Sequence, residues 1–212
     1  MQKLPEVSAL DLGALLCSRV CHDIISPVGA IANGLELLDE DSDAETKEIA
    51  MGLIRSSATN ASARLQFARI AFGAAGSAGS DIDTGDAENV ARGYFANEKK
   101  MTLEWEGQRA LMPKNKVKLL LNLLLVGMAA IPRGGSVRAQ IEDPNGAAKL
   151  TITSTGTSAR VPHAFLDFLN GTFSEQIDAH AVQPLYTLKL AEAAGMEVSA
   201  TLNGESVTFV AA

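Results

Sequence analysis

With 212 residues, 47% of them hydrophobic and 20% charged, the chain has the composition of a folded globular protein that can bury one large core or two modest ones. A formal net charge of −7 and a pI near 5.0 argue against duplex nucleic acid or an anionic membrane as partner, because both are bound through clustered Lys and Arg. A protein or small-molecule partner is expected instead.

The first residues lack the basic stretch, apolar core and small-residue cleavage site of a signal peptide, so export is not expected. From Leu10 onward, Leu10, Ala14, Cys17, Cys21, Ile24, Val28, Ile31, Leu35 and Leu38 recur at alternating spacings of four and three, a heptad seam. Ser8 followed by Asp11 caps its start, and the acidic stretch Asp39 to Asp43 ends it, which predicts a first helix from about residue 8 to about 39. Cys17 and Cys21 fall one turn apart on one face, poor geometry for a disulfide, and a reducing cytoplasm fits them best.

Ser42 with Glu45 repeats the capping signature. Met51, Ile54, Ala58, Ala61, Leu65, Ala68 and Phe72 then carry a second seam of matching length. Two long helices joined by a few polar residues predict an antiparallel hairpin that cannot cover its own apolar surface. Leu12, Leu16, Val20 and Ile25 widen the stripe, and a homodimer closing a four-helix bundle is expected. Gly73 to Ser80 is small and flexible in composition and reads as a linker, dividing the chain into residues 1–77 and 81–212.

Beyond the linker, Asp86 to Lys99 reads as helix, Met101 to Glu106 as strand, and Pro113 to Ile131 as a helix opened by proline. That last segment is apolar, but Lys118 and Asn122 interrupt it and it is shorter than the roughly 20 residues of a bilayer crossing, so it reads as a core helix. Ser136 to Glu142 and Lys149 to Ser154 form a predicted hairpin around Pro144-Asn-Gly146, and Met196 to Leu202 with Ser206 to Val210 a second around Asn203-Gly204. Pro162 to Leu169 and Pro184 to Ala194 are helical. The mixture predicts a two-layer α/β sandwich of mostly antiparallel strands.

Chemistry concentrates at His22. It directly follows the seam residue Cys21, which places its ring on the flank of the bundle, exposed. A neutral imidazole nitrogen is a nucleophile near neutral pH and can accept and release a phosphoryl group, and Asp23 is placed to orient the ring. Pro27 withholds a hydrogen bond from the Asp23 carbonyl and predicts a bend just after the histidine. Ser18 and Arg19 one turn before, and Ser26, Gly29 and Asn33 after, leave room for a partner's backbone; from the hairpin geometry Asn60 and Arg64 border the same surface. Metal binding by Cys17, Cys21 and His22 is disfavoured, because both cysteines lie on the seam and the set is incomplete. Hydrolysis of the Ser-His-Asp type is disfavoured too, because Asp23 is the sequence neighbour of His22 and no nucleophile elbow occurs. His163 and His180 have no comparable context and read as surface or structural residues.

The run His22-Asp-Ile-Ile-Ser-Pro-Val-Gly-Ala-Ile31 resembles the phospho-acceptor box of dimeric histidine kinases, and its place on the first helix of a hairpin matches that family. The resemblance implies a helical dimerisation hairpin followed by a histidine-kinase ATPase-like α/β sandwich. That second part departs from a working kinase. Asn122 fits the first of two family asparagines, but Val126 stands where the second, metal-binding one belongs; Ser154 replaces the adenine-reading aspartate; and Ala181-Val-Gln-Pro-Leu185 stands in place of the glycine-rich lid. No ATP binding is therefore expected.

An intact histidine with a degenerate nucleotide domain resembles the ChpT type of bacterial histidine phosphotransferase. This resemblance implies a phosphorelay carrier in cell-cycle control, phosphorylated at His22 by the receiver domain of a CckA-like hybrid kinase and serving CtrA-like and CpdR-like response regulators. The receiver would bring its own magnesium, so no bound cofactor is implied. An ATP-dependent histidine kinase and a non-catalytic dimer that sequesters regulators are the alternatives.

Overall fold

The computed structural model describes residues 4–40, 43–73, 81–174 and 176–212. Helix α1 runs over Ala9–Asp39, and the Ser8 hydroxyl caps it by accepting the Asp11 N–H at 3.0 Å. Helix α2 runs over Ala44–Ala71 and returns antiparallel to it. Its cap is Asp43, whose carboxylate accepts the Thr46 N–H at 2.7 Å; the predicted cap Ser42 lies outside the described residues, as does most of the predicted linker, residues 74–80. That bond holds the Asp43 carboxyl below its ordinary pKa.

The helices approach closely at Gly34. A Cβ built there would lie 2.7 Å from Ile54 Cγ1 and 3.3 Å from the Ala50 carbonyl. Gly34→Val should therefore destabilise the chain by about 1–3 kcal/mol through overpacking. Gly13 has nothing within 4 Å of a built Cβ. Gly13→Ala should instead stabilise by about 0.5–1 kcal/mol, because alanine loses less backbone entropy in a helix. Thermal unfolding of the two variants beside the wild type checks the opposite signs. Pro27 is buried inside α1. The helix continues through it, although the ring deprives the Asp23 carbonyl of its usual partner.

The remainder begins with β1 (Asp81–Asp83) and α3 (Thr84–Phe95), which starts earlier than Asp86 because the Asp83 carboxylate caps it through the Gly85 N–H. Then come β2 (Met101–Glu106), β3 (Leu111–Pro113), α4 (Lys114–Ala130), β4 (Gly135–Glu142), β5 (Lys149–Thr155), α5 (His163–Asn170), α6 (Val182–Ala194), β6 (Val198–Asn203) and β7 (Ser206–Ala211). Five strands form one sheet in the order β2-β4-β5-β7-β6, and β1 pairs with β3 in a separate two-stranded piece. Both predicted hairpins are present in antiparallel register. The pair β2 and β4 is parallel, because the chain between them crosses over through α4.

Helix α4, with α3 at the β2 edge and Phe165 of α5 against Phe209, covers one face of the sheet over the buried residues Val137, Ala139, Leu150, Ile152, Val207 and Phe209, and α6 packs on α4. On the other face Arg138 donates to Glu104 at 2.7 Å and Gln140 to Glu106 at 2.8 Å, both pairs exposed. Alternating burial along each strand thus yields two layers with a solvated outer face. The end of α2 joins the same core: Phe67, Ile70 and Ala71 pack in one cluster with Tyr94, Phe95 and the leucines of α4. This shared core fixes the hairpin against the α/β layer and brings α6 alongside α1.

Candidate functional site

His22 projects from the middle of α1 with 67% of its side chain exposed. Its Nδ1 lies 3.6 Å from Asp23 Oδ1, beyond hydrogen-bonding distance, so the carboxylate acts on the ring through its charge. The other carboxylate oxygen accepts from Arg19 Nε at 3.1 Å. Arg19 is thus half-buried and committed to Asp23. Nε2 lies across the ring from the carboxylate. A proton on Nδ1, favoured by the nearby negative charge, would leave the lone pair on Nε2, the nitrogen then able to act as a nucleophile.

Ser18, Ser26, Gly29 and Asn33 are exposed along α1, as predicted for a surface that admits a partner. Four of the predicted docking residues sit differently, Arg19 among them because its guanidinium is bonded to Asp23. Pro27 is buried, since helical spacing turns it away from His22 and toward the interior. Asn60 and Arg64 are half-buried on α2, where Arg64 Nε donates to Asn60 Oδ1 at 2.9 Å. Arg64 also donates to the Tyr94 hydroxyl at 3.0 Å and to Glu98 Oε1 at 2.6 Å, and its guanidinium lies 4.9 Å from the Tyr94 ring centre. It is therefore a latch between α2 and the end of α3 and no free cation for a partner.

Arg64, Tyr94 and Asp23 line one small cavity behind His22 together with Val20, Ile24, Phe67, Ala68, Phe72 and Leu125. The orienting acid and the latch thus meet at one junction of hairpin and α/β layer. Burial raises the Tyr94 phenol above its ordinary pKa of 10.0; the Arg64 cation opposes this, and the Asp23 and Glu98 carboxylates add to it. A raised folded-state pKa gives stability that is whole below about pH 10 and is lost as pH rises through the folded value. Tyr94→Phe should therefore lose less stability than the wild type between neutral pH and pH above about 10, as read from paired denaturant titrations.

The contact that sequence reasoning misses is His180. It precedes α6, and its ring centre lies 5.8 Å from that of His22 with the planes inclined at 74°. Asp178 fixes this turn by accepting the N–H groups of Ala181 at 2.8 Å and His180 at 2.9 Å, and these bonds, Ala181 first, hold its carboxyl below the usual range. His163 instead pairs with Asp167 on α5, Nδ1 to Oδ2 at 2.8 Å. Cys17 and Cys21 are free and exposed. Among the described residues there is no group of three or more His, Cys, Asp or Glu placed to hold a metal ion.

The positions compared with a kinase nucleotide site lie in the interior. Asn122 is fully buried and its Nδ2 donates to the carbonyls of Ala71 at 3.0 Å and Lys118 at 2.9 Å. Gln183 Nε2 donates to the Asn122 carbonyl and to Thr187 Oγ1, both at 3.0 Å. Val126 is buried beside them in the sequence, and the buried Ser154 hydroxyl stands 2.7 Å from where a Cβ on Gly127 would be.

The family model for the histidine phosphotransferase C-terminal domain matches residues 84–206. A curated relative, protein phosphotransferase ChpT of Brucella abortus (strain 2308), is 62% identical over 206 residues, covering 97% of each chain. A solved structure, described as a bacterial phosphotransferase at 1.7 Å, is 59% identical and superposes with a TM-score of 0.92 over 99% of this chain and 100% of its own. The chain therefore belongs to the ChpT family of histidine phosphotransferases.

Proposed function

We propose that His22 is the phosphoryl carrier of a multistep phosphorelay. It takes phosphate from the receiver domain of a CckA-like hybrid kinase and passes it to CtrA-like and CpdR-like response regulators in cell-cycle control. The observation that carries this reading is the exposed imidazole on a ridge of small residues, with its Nδ1 side toward Asp23. In the transfer, the Nε2 lone pair forms a P–N bond as the P–O bond to the receiver aspartate breaks. The aspartate leaves as a carboxylate, and the reverse step loads the next receiver. Magnesium enters with the receiver.

ATP has no part in this reading. What supports this is the Asn122 region, where Nδ2 donates to two backbone carbonyls, Oδ1 is buried, and Val126 and Ser154 supply no metal-binding amide or adenine-reading carboxylate. In this reading the α/β part serves as a second contact for receivers or as a scaffold. Helix α1 is long and apolar enough to be a candidate membrane span by composition. Arg19, His22 and Asp23 at its middle argue for a different use of that apolar surface, as the face of a cytoplasmic homodimer.

The test supplies the purified chain with a receiver domain carrying radiolabelled aspartyl phosphate, and in parallel with labelled ATP and magnesium alone. Acid-labile label is expected only from the receiver. No uptake from several cognate receivers would overturn the reading, and uptake from ATP alone would make the chain a kinase.

A further inference from the structure

We infer that His180 is a second functional imidazole of the site, donating an N–H hydrogen bond to the phosphoryl group while it is on or arriving at His22. This rests on the carrier reading above and adds to it a residue far away in the chain.

Burial does not account for the pairing of the two rings. Both histidines are exposed, so their contact buries little and contributes little to the fold. The rings meet edge to face at 74°, a favourable ring geometry whose share the phenylalanine variant below measures. Yet the backbone that presents His180 is held firmly. Asp178 accepts the N–H of His180 and of Ala181 through its side chain, its carbonyl accepts the Val182 N–H at 2.9 Å, and Ala181 and Val182 are buried at the start of α6. A fixed turn therefore aims an exposed imidazole at the nucleophile.

A phosphoryl group on Nε2 brings negative charge and three strong acceptor oxygens to this place. What this chain otherwise offers there carries no net attraction. The Asp23 carboxylate and the Arg19 guanidinium bonded to it offset each other's charge. His180 supplies a donor. An imidazole carries at least one N–H in either charge state, so the bond does not depend on which form is present. A hydrogen bond to a charged phosphoryl oxygen is among the stronger ones. His180 transfers no proton: the P–N bond forms and the P–O bond breaks as described above, and the His180 N–H remains on its nitrogen throughout.

The test measures two quantities with a labelled receiver: the initial rate of phosphate uptake, and the distribution of phosphate between receiver and chain at equilibrium. His180→Ala should lower both by about tenfold, the worth of one such bond. His180→Phe, which keeps a ring but has no donor, should fall equally, and His180→Lys, which restores a donor, should recover most of the loss. Thermal unfolding should be unchanged in all three, as befits an exposed side chain. Wild-type behaviour of His180→Phe would make the contact mere ring packing and overturn the inference, as would a loss that His180→Lys does not relieve. Failure of the wild type itself to take up phosphate is a separate result that removes the carrier reading beneath it.

Discussion

His22→Gln is expected to abolish uptake of acid-labile phosphate from a phosphorylated receiver while leaving the fold intact. The side chain is 67% exposed and packs no core, and glutamine is a good helix former, so stability should change by less than about 0.5 kcal/mol. The chemical loss should be total. Glutamine has no nitrogen lone pair of imidazole basicity, the Asp23 carboxylate is bonded to Arg19, and Ser18 and Ser26 are hydroxyls without an adjacent base; His180 is the one other imidazole at the site, and His22→Gln combined with His180→Ala reads any uptake there. The variant should still bind receivers, since the ridge of Ser18, Ser26, Gly29 and Asn33 is unchanged. Retained binding with lost uptake separates a carrier from a dimer that only sequesters regulators. Residual uptake at a tenth of the wild-type rate or more would place the phosphate on another residue.

How far the sequence could be read follows from the range of each interaction. The α1 seam, the Ser8 cap and both hairpins are legible because their signals are local, a spacing or a turn within a few residues. The three-residue strands β1 and β3 are too short to show alternation. The parallel pairing of β2 with β4 depends on the crossover through α4, which strand composition does not encode. Exposure of His22 follows from its place beside the seam. Apart from Arg19, which pairs within its own helix, the residues whose setting differs are placed by what their element packs on: Pro27 faces the interior, Asn60 and Arg64 are held at the latch onto α3, and His180 meets His22 from a turn distant in the chain. Helical spacing places a residue on a face but does not tell which neighbour that face will meet.

The second large effect concerns the face of the hairpin that the chain does not cover. The helix-one seam divides in two. Ile24, Ile31 and Leu38 are half-buried, whereas Ala14, Cys21, Val28 and Leu35, seven residues apart, stand exposed. On α2, Met51, Ala58 and Leu65 repeat the pattern at the same interval. Leu10, Val28, Leu35, Met51 and Leu65 are between 37% and 83% exposed, and a contiguous apolar stripe of this kind marks an interaction surface. A second copy fits it best, because two hairpins with equal heptad stripes close into a four-helix bundle around a common seam. The chain should therefore sediment at twice its 22.2 kDa mass. Val28→Glu combined with Leu35→Glu places four carboxylates at the seam of each dimer, and each costs several kcal/mol to desolvate unpaired. Even about 4 kcal/mol in all raises the dissociation constant about a thousandfold. The variant should sediment as a monomer at micromolar concentration. Unchanged sedimentation of the double variant would show that the stripe is not the dimer interface, whereas a wild type that is itself monomeric would show that the hairpin finds its cover elsewhere.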